Sequence, residues 1–212
     1  MVTVDQVSKR VFDDSSWLIK TVIGAFVLAV PPFALGYLYR VAAQGRRGLP
    51  ITLPDWDDWR GLFVDGLRFL ILIVGLAIGP IILCWVLSIL LSWLLHNVPG
   101  YWAFAGFLYL PLVPAILLAA PLTGASLYRY QRREEFREAF RFPLLLRMVM
   151  ATKARLVIPT LAYLGFVIVL FPLIPYALFT GGVVIFYYYA FTFHELEKAA
   201  HAAASASSLP RR

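Results

Sequence analysis

An all-α, polytopic membrane fold follows from three observations on the sequence. Of 212 residues, 61% are hydrophobic and 15% are charged, with a mean hydropathy of +0.77. A soluble domain carries about 45–50% apolar and about 25% charged residues, so the chain departs on both axes toward a membrane protein. Second, residues 21–39, 69–128 and 156–193 contain no Asp, Glu, Lys or Arg. A hydrocarbon core of about 30 Å needs about 20 helical residues, so these stretches hold one, two and two helices. Third, the long stretches are interrupted by turn-forming residues at His96-Asn97-Val98-Pro99-Gly100 and at Pro172-Leu173-Ile174-Pro175. The single cysteine, Cys84, excludes an internal disulfide and a thiolate metal cage.

The elements follow in chain order as one transmembrane domain over residues 1–198. Residues 4–16, with Val7, Val11 and Phe12, read as an amphipathic interfacial segment. Asp5, Asp13 and Asp14, and the lack of a small-residue cleavage site, argue against a cleavable signal. The first span covers about 17–40 with a kink at Pro31-Pro32. A hairpin there would raise the count from five to six. Phe33 to Tyr39 is too short to return across the bilayer without drawing Arg40 into hydrocarbon, at about 2.5–3.5 kcal/mol. Gly45 to Pro54 is a loop, and residues 55–68 form a second interfacial helix capped by Asp55, with Asp57 and Asp58 in its positive first turn. Trp56, Trp59, Phe63 and Leu67 recur along one face of it. Spans two and three occupy about 69–95 and 101–128. A third interfacial segment covers 131–150, spans four and five cover about 156–171 and 176–193, and residues 199–212 read as a disordered tail.

The net charge of +7 is uneven, because 129–155 holds eight bases and three acids. Cations stay on the cytoplasmic side, which places the loops 40–68 and 129–155 and the C-terminus inside. With five spans the N-terminus falls outside. Basicity placed where topology requires it gives no reason to expect a nucleic-acid partner.

Two groups of residues could carry function. Arg40, Asp55, Trp56, Asp58, Trp59, Asp65, Gly66 and Arg68 form a binding or structural element before the second span, with Asp65 and Arg68 as an i,i+3 pair. Arg132, Arg133, Arg137, Arg141 and Arg147 are candidate contacts to anionic lipid, with pairs Glu134–Arg137 and Glu138–Arg141 between them. Gly75 and Gly79 form a GxxxG suited to helix packing or self-association. The spans hold no ionisable group, which disfavours proton- or ion-coupled transport. They also hold no HExxH, buried aspartate pair or serine with a histidine partner. His96 and His194 fall on opposite faces, so no metal site and no cofactor is expected.

Three times an amphipathic stretch leads into apolar helices that leave through a tyrosine-rich exit: Tyr37-Leu38-Tyr39-Arg40, Tyr128-Arg129-Tyr130 and Tyr187-Tyr188-Tyr189. An internal repeat would explain this rhythm, and so would an aromatic belt with snorkelling cations. Phe12-Asp13-Asp14 with Trp17, Gly36-Tyr37-Leu38 with Arg40, Leu53-Pro54-Asp55-Trp56-Asp57-Asp58-Trp59 and Leu62-Phe63-Val64-Asp65-Gly66-Leu67 are the residues that bear a likeness. Over about residues 12–68 the chain resembles a prokaryotic polytopic membrane family known as a domain of unknown function. The resemblance implies a small multi-spanning inner-membrane protein and assigns no functional residue. The expected function is non-enzymatic: lipid binding, or a scaffold or accessory subunit with a membrane-protein partner or a second copy of itself. The alternatives are a transporter or pore for a lipidic or uncharged solute, with Pro31, Pro80, Pro111, Pro114 and Pro172 at its helix breaks, and a lipid-headgroup enzyme using Asp55, Asp58 and Asp65.

Overall fold

A computed structural model describes residues 3–207; of these, 84% are helical and none lies in a strand. Among the described residues ten α-helices succeed one another: α1 (Val4–Phe12), α2 (Trp17–Val27), α3 (Pro31–Arg46), α4 (Trp59–Ile73), α5 (Gly79–Leu95), α6 (Tyr101–Phe104), α7 (Leu112–Arg133), α8 (Phe136–Ala139), α9 (Phe142–Val169) and α10 (Ile174–Ser207). Among the described residues, four continuous helical stretches are long and apolar enough to cross a membrane: Trp59–Leu95, Tyr101–Arg133, Phe142–Val169 and Phe171–Ala202.

The first unit departs from the expected single crossing. Trp56 Nε1 donates to the Lys20 carbonyl at 3.2 Å, and its ring stacks on Tyr37 at 4.5 Å. Residues 20 and 37 of one kinked helix would lie about 25 Å apart, at 1.5 Å per residue, and could not share one indole. The chain therefore folds back at Leu28–Val30, and α2, with 11 residues, is about 16 Å long, half a bilayer core. The cost that argued against a hairpin presumes a full return crossing, which so short a pair does not make. The fold-back also moves the N-terminus. It was expected opposite the 40–68 loop, yet Lys20 holds Leu53 and Asp55, and Val11 and Asp14 border a cleft with Pro50 and Ile51.

Three helical hairpins result, α2/α3, α4–α5/α7 and α9/α10. Their second helices run in one direction and pack on one another. The register shows it: Leu38 meets Gly182 and Tyr187 meets Gly45, while Gly124, Tyr128 and Arg132 meet Tyr189, Phe193 and Glu197 in turn. The three tyrosine-rich exits are thereby brought together in the core, with Tyr37, Tyr128, Tyr187 and Tyr189 buried. The shared direction of the exit helices is what an internal repeat requires. Glycines allow the closest approaches. A Cβ on Gly36 would fall on the Leu62 carbonyl oxygen, and one on Gly66 on the Pro32 carbonyl oxygen, where α3 crosses α4 backbone to backbone.

Several boundaries differ from the sequence reading, each for a local reason. No separate 55–68 helix forms: α4 starts at Trp59 and runs through a π-helical turn, Val74–Ile78, into α5. That turn lies immediately before Pro80, whose missing N–H and ring an unbroken α-helix would not accept. A Cβ on Gly75, in the π turn, would meet the Phe140 ring and one on Gly79 the Val74 carbonyl of its own helix, while the π turn as a whole packs on α7. The third span starts irregularly, through α6 and a 3-10 stretch, and becomes regular only after Pro111, then continues to Arg133. Glu134, in the left-handed region at φ 55°, ends it. In place of one 131–150 segment the chain makes α8 and then α9, which runs unbroken to Val169. Pro159 inside α9 frees the Arg155 carbonyl, and Tyr188 Oη donates to it at 3.4 Å. α10 continues to Ser207, so 199–207 is helical rather than a loose tail, and residues 208–212 lie outside the described residues.

Candidate functional site

The charged residues group where the first helices of the hairpins begin and the second ones end. Asp58, not Asp55, caps α4: its Oδ1 accepts from the Gly61 N–H at 3.0 Å. Its Oδ2 accepts from Arg40 Nη2 at 2.5 Å. Arg40 Nε also reaches Asp65 Oδ2 at 3.4 Å, and Arg68 Nη1 reaches Asp65 Oδ1 at 3.3 Å, so the expected i,i+3 pair forms within a larger network. The Arg40 guanidinium and the Gly61 N–H hold the Asp58 carboxyl below the usual carboxylate range.

Asp55 turns the other way. Its Oδ1 lies 2.9 Å from Lys20 Nζ, which also donates to the Leu53 carbonyl at 2.8 Å and lies 3.6 Å from Asp14. The Asp14 carboxyl is held below the usual range by the Ser16 hydroxyl and N–H. Trp56 joins the two networks, stacked between Tyr37 and Trp59 and half-buried. Trp59 is exposed, as an interfacial residue would be. The element from 40 to 68 is thus an interlock in which Arg40 gathers Asp58 and Asp65 while Lys20 withdraws Asp55. The three aspartates do not converge as a set, and among the described residues no group of three or more His, Cys, Asp or Glu could hold a metal ion.

Of the five candidate arginines, two are neutralised within the protein. Arg132 pairs with Glu197, which also accepts from Tyr128 Oη at 2.6 Å. Glu138 pairs with Arg129 and, at 2.9 Å, with Arg141. Its carboxyl is held below the usual range by the Arg129 side chain first. The Glu134–Arg137 pair does not form among the described residues, because Glu134 is the left-handed cap rather than part of a helix with Arg137. Arg133, Arg137 and Arg147 remain exposed and without an ion pair among the described residues, and so do Lys153 and Arg155 of α9.

The buried side of α9 is the stripe Leu145, Val149, Thr152, Leu156 and Pro159, at spacings of three and four, and its cations lie off that stripe. Exposed Phe140, Phe142 and Met150 intersperse with them. Arg141 and Arg147 flank a shallow cleft of about 420 Å³ with Pro143 and Leu144 between them. Chemically this is a surface of arginine heads set in apolar side chains, suited to anionic headgroups with acyl chains beneath.

Sequence reasoning missed Lys20, Glu197, Lys153 and Arg155. The last two had a visible signal, since no acid occurs from Arg141 to Phe193 to neutralise them. The links of Lys20 to Asp55 and of Glu197 to Arg132 had none, because these partners lie 35 and 65 residues away in the chain.

The chain belongs to the family described as protein of unknown function (DUF4013), whose model matches residues 22–192. No curated protein and no solved structure matches it.

Proposed function

We propose that this chain is a non-catalytic protein of the prokaryotic cytoplasmic membrane that binds anionic lipid. The charged ends of its hairpins, including the N-terminal helix, face the cytoplasm in this reading, and it serves as a scaffold or accessory subunit. One observation carries the reading. Five cations between Arg133 and Arg155 are exposed beside apolar side chains and without an ion pair among the described residues, although acids nearby neutralise Arg129, Arg132 and Arg141. A face whose only purpose is topology has no need to keep its cations unpaired against apolar surface. The engagement of Asp55, Asp58 and Asp65 by Lys20 and Arg40 supports a structural use of the acidic element over a catalytic one.

The test is native mass spectrometry of the protein in mixed nanodiscs of phosphatidylglycerol and phosphatidylcholine. Wild type is expected to retain the anionic lipid. The triple variant Arg147→Gln, Lys153→Gln, Arg155→Gln is expected to lose that preference by up to about two orders of magnitude, at about 1 kcal/mol per base. Equal retention of the two lipids by wild type would overturn the reading.

A further inference from the structure

The three hairpins end at two depths. Gly124, Tyr128 and Arg132 of α7 face Tyr189, Phe193 and Glu197 of α10, each 65 residues on, so Ile174 at the start of α10 is level with Tyr109. That level is the middle of α5, because Ser88 Oγ donates to the Leu108 carbonyl at 2.8 Å. From Ser88, α5 runs on to Leu95, about 10 Å further, before its turn begins. The α2/α3 tip stops with α9/α10: Phe26, near the end of α2, borders one cleft with Pro172, Leu173 and Tyr176. From the charged end the distances are short. The Phe179 ring lies 5.9 Å from that of Trp56, whose neighbours Asp55 and Asp57 are exposed, and only about 8 Å of α10 separates Phe179 from Ile174. α9 has 15 residues between Arg155 and Phe171, about 22 Å, where a hydrocarbon core of about 30 Å asks for about 20 residues.

The tips also differ in chemistry. The α5 turn carries His96, Asn97 and Gly100 between Trp93 and Trp102, which are 78% and 80% exposed, as at a membrane–water interface. Residues 27–33 and 171–175 hold no polar side chain. Their backbone donors are also accounted for. Leu28, Ala29, Val30 and Phe33 donate to carbonyls three or four residues back, as do Leu170 and Leu173, and Pro31, Pro32, Pro172 and Pro175 have no N–H. A turn in water has no need of this, whereas a turn in hydrocarbon must leave no donor bare.

We propose that α9/α10, like α2/α3, turns back near the bilayer midplane, and that only α5 and the stretch from Tyr101 to Arg133 complete a crossing. The leaflet at the charged end then takes in helices of all three hairpins with α1 beside them, and the opposite leaflet takes in one hairpin. Area added to one leaflet alone is relieved by bending toward that side. The protein is a wedge, and the partner it fits is a lipid surface convex toward its charged end.

Full-length protein in phosphatidylcholine alone keeps the experiment independent of the anionic-lipid reading. In a Cys84→Ala background, a spin label at Leu173→Cys, an exposed position, is expected to meet dissolved oxygen far more often than a water-soluble nickel chelate, and a label at Asn97→Cys the reverse. Nickel access at Leu173→Cys equal to that at Asn97→Cys would show a completed crossing and overturn the proposal. For the wedge, Lys9→Cys in giant vesicles is labelled with a membrane-impermeant dye, which marks only molecules whose charged end faces out, and a narrow tube is pulled outward. The dye is expected to be several-fold denser per lipid on the tube than on the parent vesicle, and equal density overturns the assignment of the curved surface as partner.

Discussion

Gly36 and Gly66 do for this molecule what no larger residue could. At each, an added Cβ would meet a carbonyl oxygen of the facing helix, and backbone cannot step aside as a side chain can. Gly66→Ala is expected to destabilise by about 1–3 kcal/mol, read as a lowered Tm in detergent. Gly165→Ala, where a Cβ meets nothing within 4 Å, should change stability by no more than about 0.5 kcal/mol. Gly66 was picked out from its motif, whereas the glycines of the obvious GxxxG meet a phenylalanine ring and their own helix. Spacing along one helix cannot say which facing backbone comes near. Arg40 is the second residue on which the crossing depends. The Asp58 carboxyl, with its folded-state value depressed, contributes stability above its ordinary pKa and loses it as pH falls through the lower folded value. In Arg40→Gln, a carboxyl-detected NMR titration should show Asp58 moving up toward the ordinary range and the acid unfolding midpoint moving up with it. An unmoved Asp58 would show that the guanidinium does not set its charge.

Among the elements, the long helices were legible because stretches free of charge speak directly to a bilayer, and the hairpin turns because Asn, Gly and Pro break helices wherever they cluster. The fold-back of α2 on α3 was not. Pro31-Pro32 is equally compatible with a kink and with a new helix start, and the contacts that decide it, Trp56 with Lys20 and Tyr37, join residues far apart in the chain. Spin labels at Leu18→Cys and Arg47→Cys, in a Cys84→Ala background, distinguish the two. One kinked helix over 29 residues places them about 40 Å apart, and a fold-back places them within about 25 Å. Boundaries near 131–150 were lost for a different reason. Amphipathic patterning there reflects packing of α9 against α7 and α10, and patterning alone reads the same for a helix lying on a membrane.

For the molecule as a whole, three hairpins return the chain each time to the end it left. α1, the 47–58 loop, the 134–141 turn and the C-terminal part of α10 therefore share one end. Single cysteines at Lys9 and Thr52, in the same Cys84→Ala background, should react together with a membrane-impermeant maleimide from one side of sealed vesicles. A cysteine at Asn97 should react from the other. Labelling of Lys9→Cys together with Asn97→Cys would restore the five-span order. The candidate lipid surface was half legible at this scale: the excess of cations in 129–155 is plain in the sequence, but which of them an acid neutralises depends on Glu138 and Glu197 being carried in by the fold.

The gathering of charged side chains at one end of the hairpins, opposite the uncharged turns at 96–100 and 172–175, also gives the protein an electrical axis. Each helix carries the equivalent of about half a positive charge at its start and half a negative charge at its end. Within each hairpin the two helix dipoles oppose and largely cancel, so the axis comes from the side chains gathered at one end. Arg46, Arg132 and Arg133 stand in the last turns of α3 and α7, against the negative ends. Across an energised membrane a displaced unit charge is worth about 2.3 kcal/mol per 100 mV. The two ways of inserting this chain are therefore unequal in energy, and the membrane voltage acts on the choice as a field acts on a dipole.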